Sequence, residues 1–135
     1  MLRIMSDNDV QGQVRRLMDI CQQPPWIELW QGLECTLCRF EDFHLPIDAT
    51  DAIVWQVCQD NGLHLITGNR NAEGPRSLEM TIRQRNSAAC LPVLTLADPD
   101  RILRDFQYAE SVVESLFDVL IDPDVFRGTG RLFLP

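Results

Sequence analysis

Lysine is absent from this 135-residue sequence, and all twelve basic residues are arginine. Its absence removes the residue on which P-loops, Schiff-base enzymes and Lys-dependent phosphotransfer sites rely. Long apolar runs are missing too, since no stretch approaches the roughly 18 residues of a membrane span. The first residues, Met1 to Ser6, reach Asp7 and Asp9 too soon for a secretory leader, so the expected location is the cytoplasm, with no membrane partner. No Ser or Cys lies at a nucleophile elbow. The two histidines form no catalytic arrangement: His44 falls in a loop and His64 within an apolar run. There is no internal repeat, linker or low-complexity stretch.

Cysteine is present in an odd number, at positions 21, 35, 38, 58 and 90, which argues for reduced thiols rather than a disulfide framework. Cys35 and Cys38 match CxxC, but the segment around them reads as a strand. Residues three apart in a strand point to opposite faces, so these sulfurs are not expected to share a zinc ion.

Acids outnumber bases by 20 to 12, giving a net charge of −8, so nucleic acid would gain nothing from the overall field and could be bound only locally. With 45% hydrophobic residues the chain is long enough for a packed core and too short for two ordinary domains. A single domain over 1–135 is expected.

Apolar spacing alternates between strand and helix periods along the chain. Leu2–Ser6 reads as a strand, followed by a helix carrying Val10, Val14, Leu17 and Cys21 and stopped by Pro24-Pro25. A short turn or helix at Trp26–Trp30 precedes a strand from Leu33 to Phe40 and a loop from Glu41 to Ile47. Asp48 or Thr50 caps a helix carrying Ile53, Val54, Val57 and Cys58, and Asn61-Gly62 ends it. Leu63–Thr67 is the third strand, and 68–75 a polar loop. Leu78 and Ile82 mark a helix, and Pro92–Leu96 a fourth strand. Asp98-Pro99 reads as a cap with Pro at the first helical position. Ala109 to Leu120 is the clearest helical stripe, and Leu132–Leu134 is a fifth strand or a docked tail. The fold class is therefore α/β: a three-layer domain with a short, mainly parallel sheet of four to five strands and right-handed crossovers.

In such a fold the loops leaving the C-terminal strand ends gather along one edge, where ligands bind. Those loops carry Asp7, Asn8 and Asp9; Thr67, Gly68, Asn69, Arg70 and Asn71; and Asp98 and Asp100, with Asp48 and Asp51 at a helix start. Gathered carboxylates repel unless a cation or proton neutralises them, and a hard divalent cation suits carboxylate and amide oxygens. Such residues also serve as plain turns and caps. Capping is the simpler reading of Asp48, Asp98 and Asp9, whereas Asp7, directly after an apolar strand, points to chemistry.

Three segments resemble the short PIN-like family often found beside toxin–antitoxin genes. Met5-Ser6-Asp7-Asn8-Asp9-Val10 is similar to its first-strand Asp motif. Ala49-Thr50-Asp51-Ala52-Ile53-Val54 resembles its Ala-Ser-Asp helix opening. Gly62 to Asn71 resembles the strand that leads into Thr-x-Asp-x-Asp. The resemblance covers about the first 75 residues. It implies a PIN-like fold, Mg²⁺ or Mn²⁺ held by Asp7, Asp51 and the positions of Asn69 and Asn71, and RNA as substrate. It also implies an antitoxin-type partner. Asn8, Asp9, Thr67, Arg70 and Arg76 then fall to substrate binding, and Asp7 and Asp51 to catalysis. The chain departs from the family where both acids of the third motif are Asn. Asp98 is the candidate to supply a missing charge.

Two other readings stay open. A non-catalytic interaction or oligomerisation domain would use Trp26 and Trp30 as a patch for a second copy, though core is the usual place for Trp at helical spacing. A haloacid-dehalogenase-like phosphatase would use Asp7 and Asp9, but it needs the Lys this chain lacks. Arg70, Arg76, Arg83 and Arg85 form the one locally basic stretch, either a phosphate-binding series or a solvated helix face.

Overall fold

In β1 (Leu2–Ser6), Ile4 and Met5 are both fully buried yet point to opposite sides of the sheet, and each opens a separate core. The computed structural model describes residues 1–70, 74 and 76–135. β1 is joined by β2 (Cys35–Cys38), β3 (Leu63–Thr67), β4 (Val93–Leu96) and β5 (Arg131–Leu134). Their order is β2-β1-β3-β4-β5, and every neighbouring pair is parallel. From β1 the connections step outward to β2 on one side and then back past β1 to β3 on the other, so the loops after β1 and β3 meet at the switch point where an open α/β sheet offers a crevice.

The Ile4 side is covered by α1 (Gln11–Cys21), α2 (Ile27–Gly32), α5 (Pro99–Arg104) and α6 (Phe106–Ile121). The Met5 side is covered by α3 (Asp51–Asn61) and α4 (Leu78–Arg85). Among the described residues no helix is long and apolar enough to cross a membrane.

One connection departs from the expected handedness. The β1–β2 crossover steps one way through α1 and α2, while β2–β3 and β3–β4 step the other way across the opposite face, which is the same hand. The β4–β5 crossover keeps the second direction but passes through α5 and α6 on the α1 side, so its hand is opposite to the others. Uniformly right-handed crossovers are therefore not the case. The physical reason is coverage. Leu94, Leu96 and Leu134 face the α1 side, and the stripe Ala109, Val112, Val113, Leu116, Phe117 and Leu120 of α6 is what buries them.

Local signals explain most element ends. Thr50, rather than Asp48, caps α3, its hydroxyl accepting from Ile53 N at 3.4 Å, while Asp48 is exposed. Gly62 ends that helix at φ +66°, a conformation glycine adopts without a Cβ penalty. Asp98 caps α5 ahead of Pro99, and Asp105 separately caps α6. Strand two is shorter than the expected Leu33–Phe40. Leu33 closes α2, Glu34 turns at φ +53°, and Phe40–Phe43 winds into a 3-10 turn. Leu132–Leu134 belongs to β5, a bonded strand rather than a docked tail.

Two of the three tryptophans are core, and the third packs half-buried against it. Trp30 and Trp55 are buried, and Trp26 stacks on Phe117 with ring centroids 5.6 Å apart. Trp26 and Trp30 both pack toward the α1-side core, Trp26 half-buried at its edge. All five cysteines are free thiols, with Cys35 packed on one side of the sheet and Cys38 on the other, as strand geometry requires.

Candidate functional site

The loops after β1 and β3 are locked together by side chains at the sheet's C-terminal edge. Asp7 leaves β1 and its Oδ1 accepts from Asn8 N at 2.8 Å, capping the 3-10 turn Asn8–Val10. Its Oδ2 accepts from the Thr67 hydroxyl at 2.8 Å, and Asp7 N donates to Ile66 O at 2.9 Å. Thr67 Oγ1 in turn accepts from Asn69 N at 3.0 Å. The Asn69 side-chain amide then donates to Asp51 Oδ2 at 3.1 Å. One continuous chain of hydrogen bonds thus runs Asp7–Thr67–Asn69–Asp51 and draws on all three segments singled out in the sequence.

Asp9 lies in the same turn and is not a helix cap. Its Oδ2 accepts from Gly68 N at 3.2 Å, which ties the two loops a second time. This contact needs a glycine. A Cβ at position 68 would stand 3.0 Å from Val10 Cγ1 and 3.1 Å from Asp9 Oδ2.

Electrostatics mark the same two acids. Loss of water raises the Asp7 carboxyl above its ordinary value; hydrogen bonds from Thr67 and Asn8 oppose this, and the nearby Asp51 charge adds to it. Asp9 is exposed as a residue but turns its carboxylate inward to Gly68. The water lost there, and then the charge of Asp7, raise it as well. Carboxyls pushed upward in this way are common where a fold handles protons.

The remaining candidates have other attachments. Asn8 accepts from Gln11 Nε2 at 2.9 Å and donates to Ile47 O at 2.7 Å, so it braces the loop before α3. Arg70 donates to the carbonyls of Leu96 and Ala97 and lies 5.6 Å over the Phe133 ring, which fixes it on the end of β4. Asp98 accepts from Arg101 N at 3.3 Å as the cap of α5. Arg76 is exposed. Asn71 lies outside the described residues. Arg83 pairs with Glu79 at 3.5 Å and Arg85 bonds Gln56 at 3.4 Å, so these two arginines behave as a solvated helix face.

Arg131 is a residue that sequence reasoning missed. From the start of β5 it donates to Asn69 O at 2.8 Å and to Thr95 Oγ1 at 2.7 Å, and it pairs with Glu79 at 3.0 Å. Only 10% of its side chain is exposed. It is a strut under the loop that carries Asn69. Nothing local in the sequence marks it, because its partners lie 36 to 62 residues away.

The donor set can be tested against the divalent cation implied by the resemblance. Carboxylate and amide oxygens are the hard ligands that Mg²⁺ and Mn²⁺ take. Yet among the described residues no group of three or more His, Cys, Asp or Glu gathers to hold a metal ion. Both oxygens of Asp7 accept hydrogen bonds, and an amide N–H faces Asp51 where a cation would stand. The described residues therefore do not fit a dedicated metal cage. What they make is a pair of carboxylates bridged by two uncharged donors. No protein-family profile, curated protein or solved structure matches the chain.

Proposed function

We propose that the chain is a PIN-like domain of ribonuclease type whose phosphodiester site is reduced to two carboxylates, Asp7 and Asp51. The observation that carries this reading is the Asp7–Thr67–Asn69–Asp51 hydrogen-bond chain at the switch between β1 and β3. Three segments that resemble one family, distant in sequence, supply neighbouring side chains at the edge where such sheets bind ligands. Asp7 is the group suited to move a proton, since its carboxyl is raised by burial. Asp51 holds the Asn69 loop in place beside it. RNA is the substrate this reading carries, and an antitoxin-type protein its partner.

The test is cleavage of single-stranded RNA by the purified full chain, with and without millimolar Mg²⁺ or Mn²⁺, beside Asp7→Ala. The expected result is slow cleavage by the native chain that changes little with a divalent ion and is lost in the variant. Cleavage that survives Asp7→Ala, or none from well-folded protein under any condition, ends the enzyme reading.

A specific observation favours a second reading in that case. Asn69 donates to Asp51 and so satisfies a carboxylate oxygen of the site without a cation. A PIN-like scaffold stabilised in this way serves as a non-catalytic interaction or oligomerisation domain.

A further inference from the structure

Beside Asp7, on the α1 side of the sheet, lies a cavity of about 550 Å³. Its volume falls inside the range of about 300–1,000 Å³ typical of small-ligand sites. One wall is α1, which contributes Gln11, Arg15 and Met18 at helical spacing. The other is the end of β2 and the turn after it, with Leu37, Arg39 and Phe40. Ser6 and Asn8, the two chain neighbours of Asp7, also line it, so the cavity opens one residue from Asp7, although the side chains of Asp7, Asp51, Thr67 and Asn69 are not part of its wall.

The lining combines two kinds of chemistry. Leu37 is 36% exposed and Ile47, also in the lining, is 83% exposed, which leaves apolar surface in contact with water. A flat apolar group entering the cavity would cover it. The guanidiniums stand on opposite walls and are available. Arg15 has no ion pair among the described residues. Arg39 meets Glu41 only at 3.5 Å with both side chains about 70% exposed, a pair of little strength. Arg is the side chain best shaped to grip a phosphate. Asp19 and Glu41 balance the two arginines within the lining, so the cavity offers contact chemistry without a long-range field.

A planar base joined to a phosphate meets both requirements at once. We propose that this cavity holds one nucleotide of a single-stranded nucleic acid, its base against Met18 and Leu37 and its phosphate toward Arg15 and Arg39, next to the phosphodiester presented to Asp7. The inference rests on the phosphodiester reading of the Asp7 site and says where that substrate is gripped. A lone mononucleotide binds weakly, because only one such cavity is filled, and a short strand binds more tightly.

The test uses the full chain as native protein, Arg15→Glu and Leu37→Glu, both changes at surface positions that leave the core intact. Anisotropy of a labelled single-stranded RNA hexamer reads affinity, and an NMR titration with adenosine monophosphate reads location. Both variants should keep the native melting temperature and lose about tenfold or more in hexamer affinity, equivalent to about 1.4 kcal/mol. The nucleotide should shift amides of α1 and of Arg39 and Phe40. Equal affinity in all three proteins, or no shift in those segments at millimolar nucleotide, overturns the proposal. Asp7→Ala separates this result from the nuclease question, since it should bind the hexamer at least as tightly as the native chain, having lost a carboxylate beside the phosphodiester, while cleaving nothing. A chain that binds through Arg15 and Leu37 but cleaves nothing refutes the enzyme reading alone. A chain that cleaves with KM unchanged in both variants refutes the cavity alone.

Discussion

Asn69 is where charge and geometry at the site are most finely balanced. Its side-chain amide donates to Asp51 at 3.1 Å, while its backbone is held from two sides, by Thr67 through the N–H and by Arg131 through the carbonyl. An aspartate at this position would keep the backbone contacts and turn the donor into a second carboxylate facing Asp51. In the absence of metal, Asn69→Asp should therefore lower stability by on the order of 1–3 kcal/mol, through a lost hydrogen bond and like-charge repulsion. The same change adds the third acid that the described donor set lacks. The variant should regain its melting temperature in millimolar Mg²⁺ or Mn²⁺, while the native chain responds little. Thermal melts of both proteins with and without metal check this. A variant indifferent to metal would mean that these positions do not define a cation site, and an unchanged melting temperature would reduce Asn69 to a turn residue.

At the scale of elements, the loops after β1 and β3 decide the site, and Gly68 sets how closely they approach. Val10, which a new Cβ would meet at 3.0 Å, is itself in the core and 2% exposed, so it has little room to yield. Gly68→Ala gains about 0.4–1 kcal/mol by restricting the unfolded chain. Overpacking of this kind costs about 1–3 kcal/mol, the larger effect. The variant should thus be less stable by roughly 1–2 kcal/mol and should loosen the Asp9 contact, as read by urea unfolding and by exchange of the Gly68 region amides. A stabilised variant would mean that the two loops are not packed as described. The pattern of what the sequence revealed follows the same division between local and distant contacts. β1, α1, β3 and α6 were legible because each carries its own apolar period, and Pro99 and Gly62 because each has a fixed backbone role. The short β2 was overextended because Leu33 and Phe40 continue its apolar run, although one closes α2 and the other enters a 3-10 turn. Arg131 and the Asn69–Asp51 bond depend on contacts across many residues, and periodicity holds no trace of them.

At the scale of the whole molecule, the sheet divides the protein into two cores, and the α1-side core contains a histidine. His64 follows Leu63 on β3 and aligns with Ile4 of β1, 2% exposed, with no partner for Nδ1 among the described residues. Burial, and then the charge of Arg127, lowers its pKa to about 4. In the unfolded chain it would titrate near 6.5. Between those values the unfolded state binds a proton that the folded state refuses, so stability falls as pH drops through the window and is fully present above it. The full effect is on the order of 3 kcal/mol, at about 1.4 kcal/mol for each pH unit. Asp7 and Asp9 act with the opposite sign. Their folded values lie above 3.8, so the stability they cost at neutral pH returns as they protonate on acidification. Comparing the native chain with His64→Leu isolates the histidine, because the acids contribute equally to both. The leucine variant should show a flatter dependence of unfolding free energy on pH from 6.5 down to about 4, with the two proteins diverging as acid is added. Parallel curves across that range would show that His64 is solvated or partnered in solution, and that the core at the centre of the sheet is wetter than its packing implies.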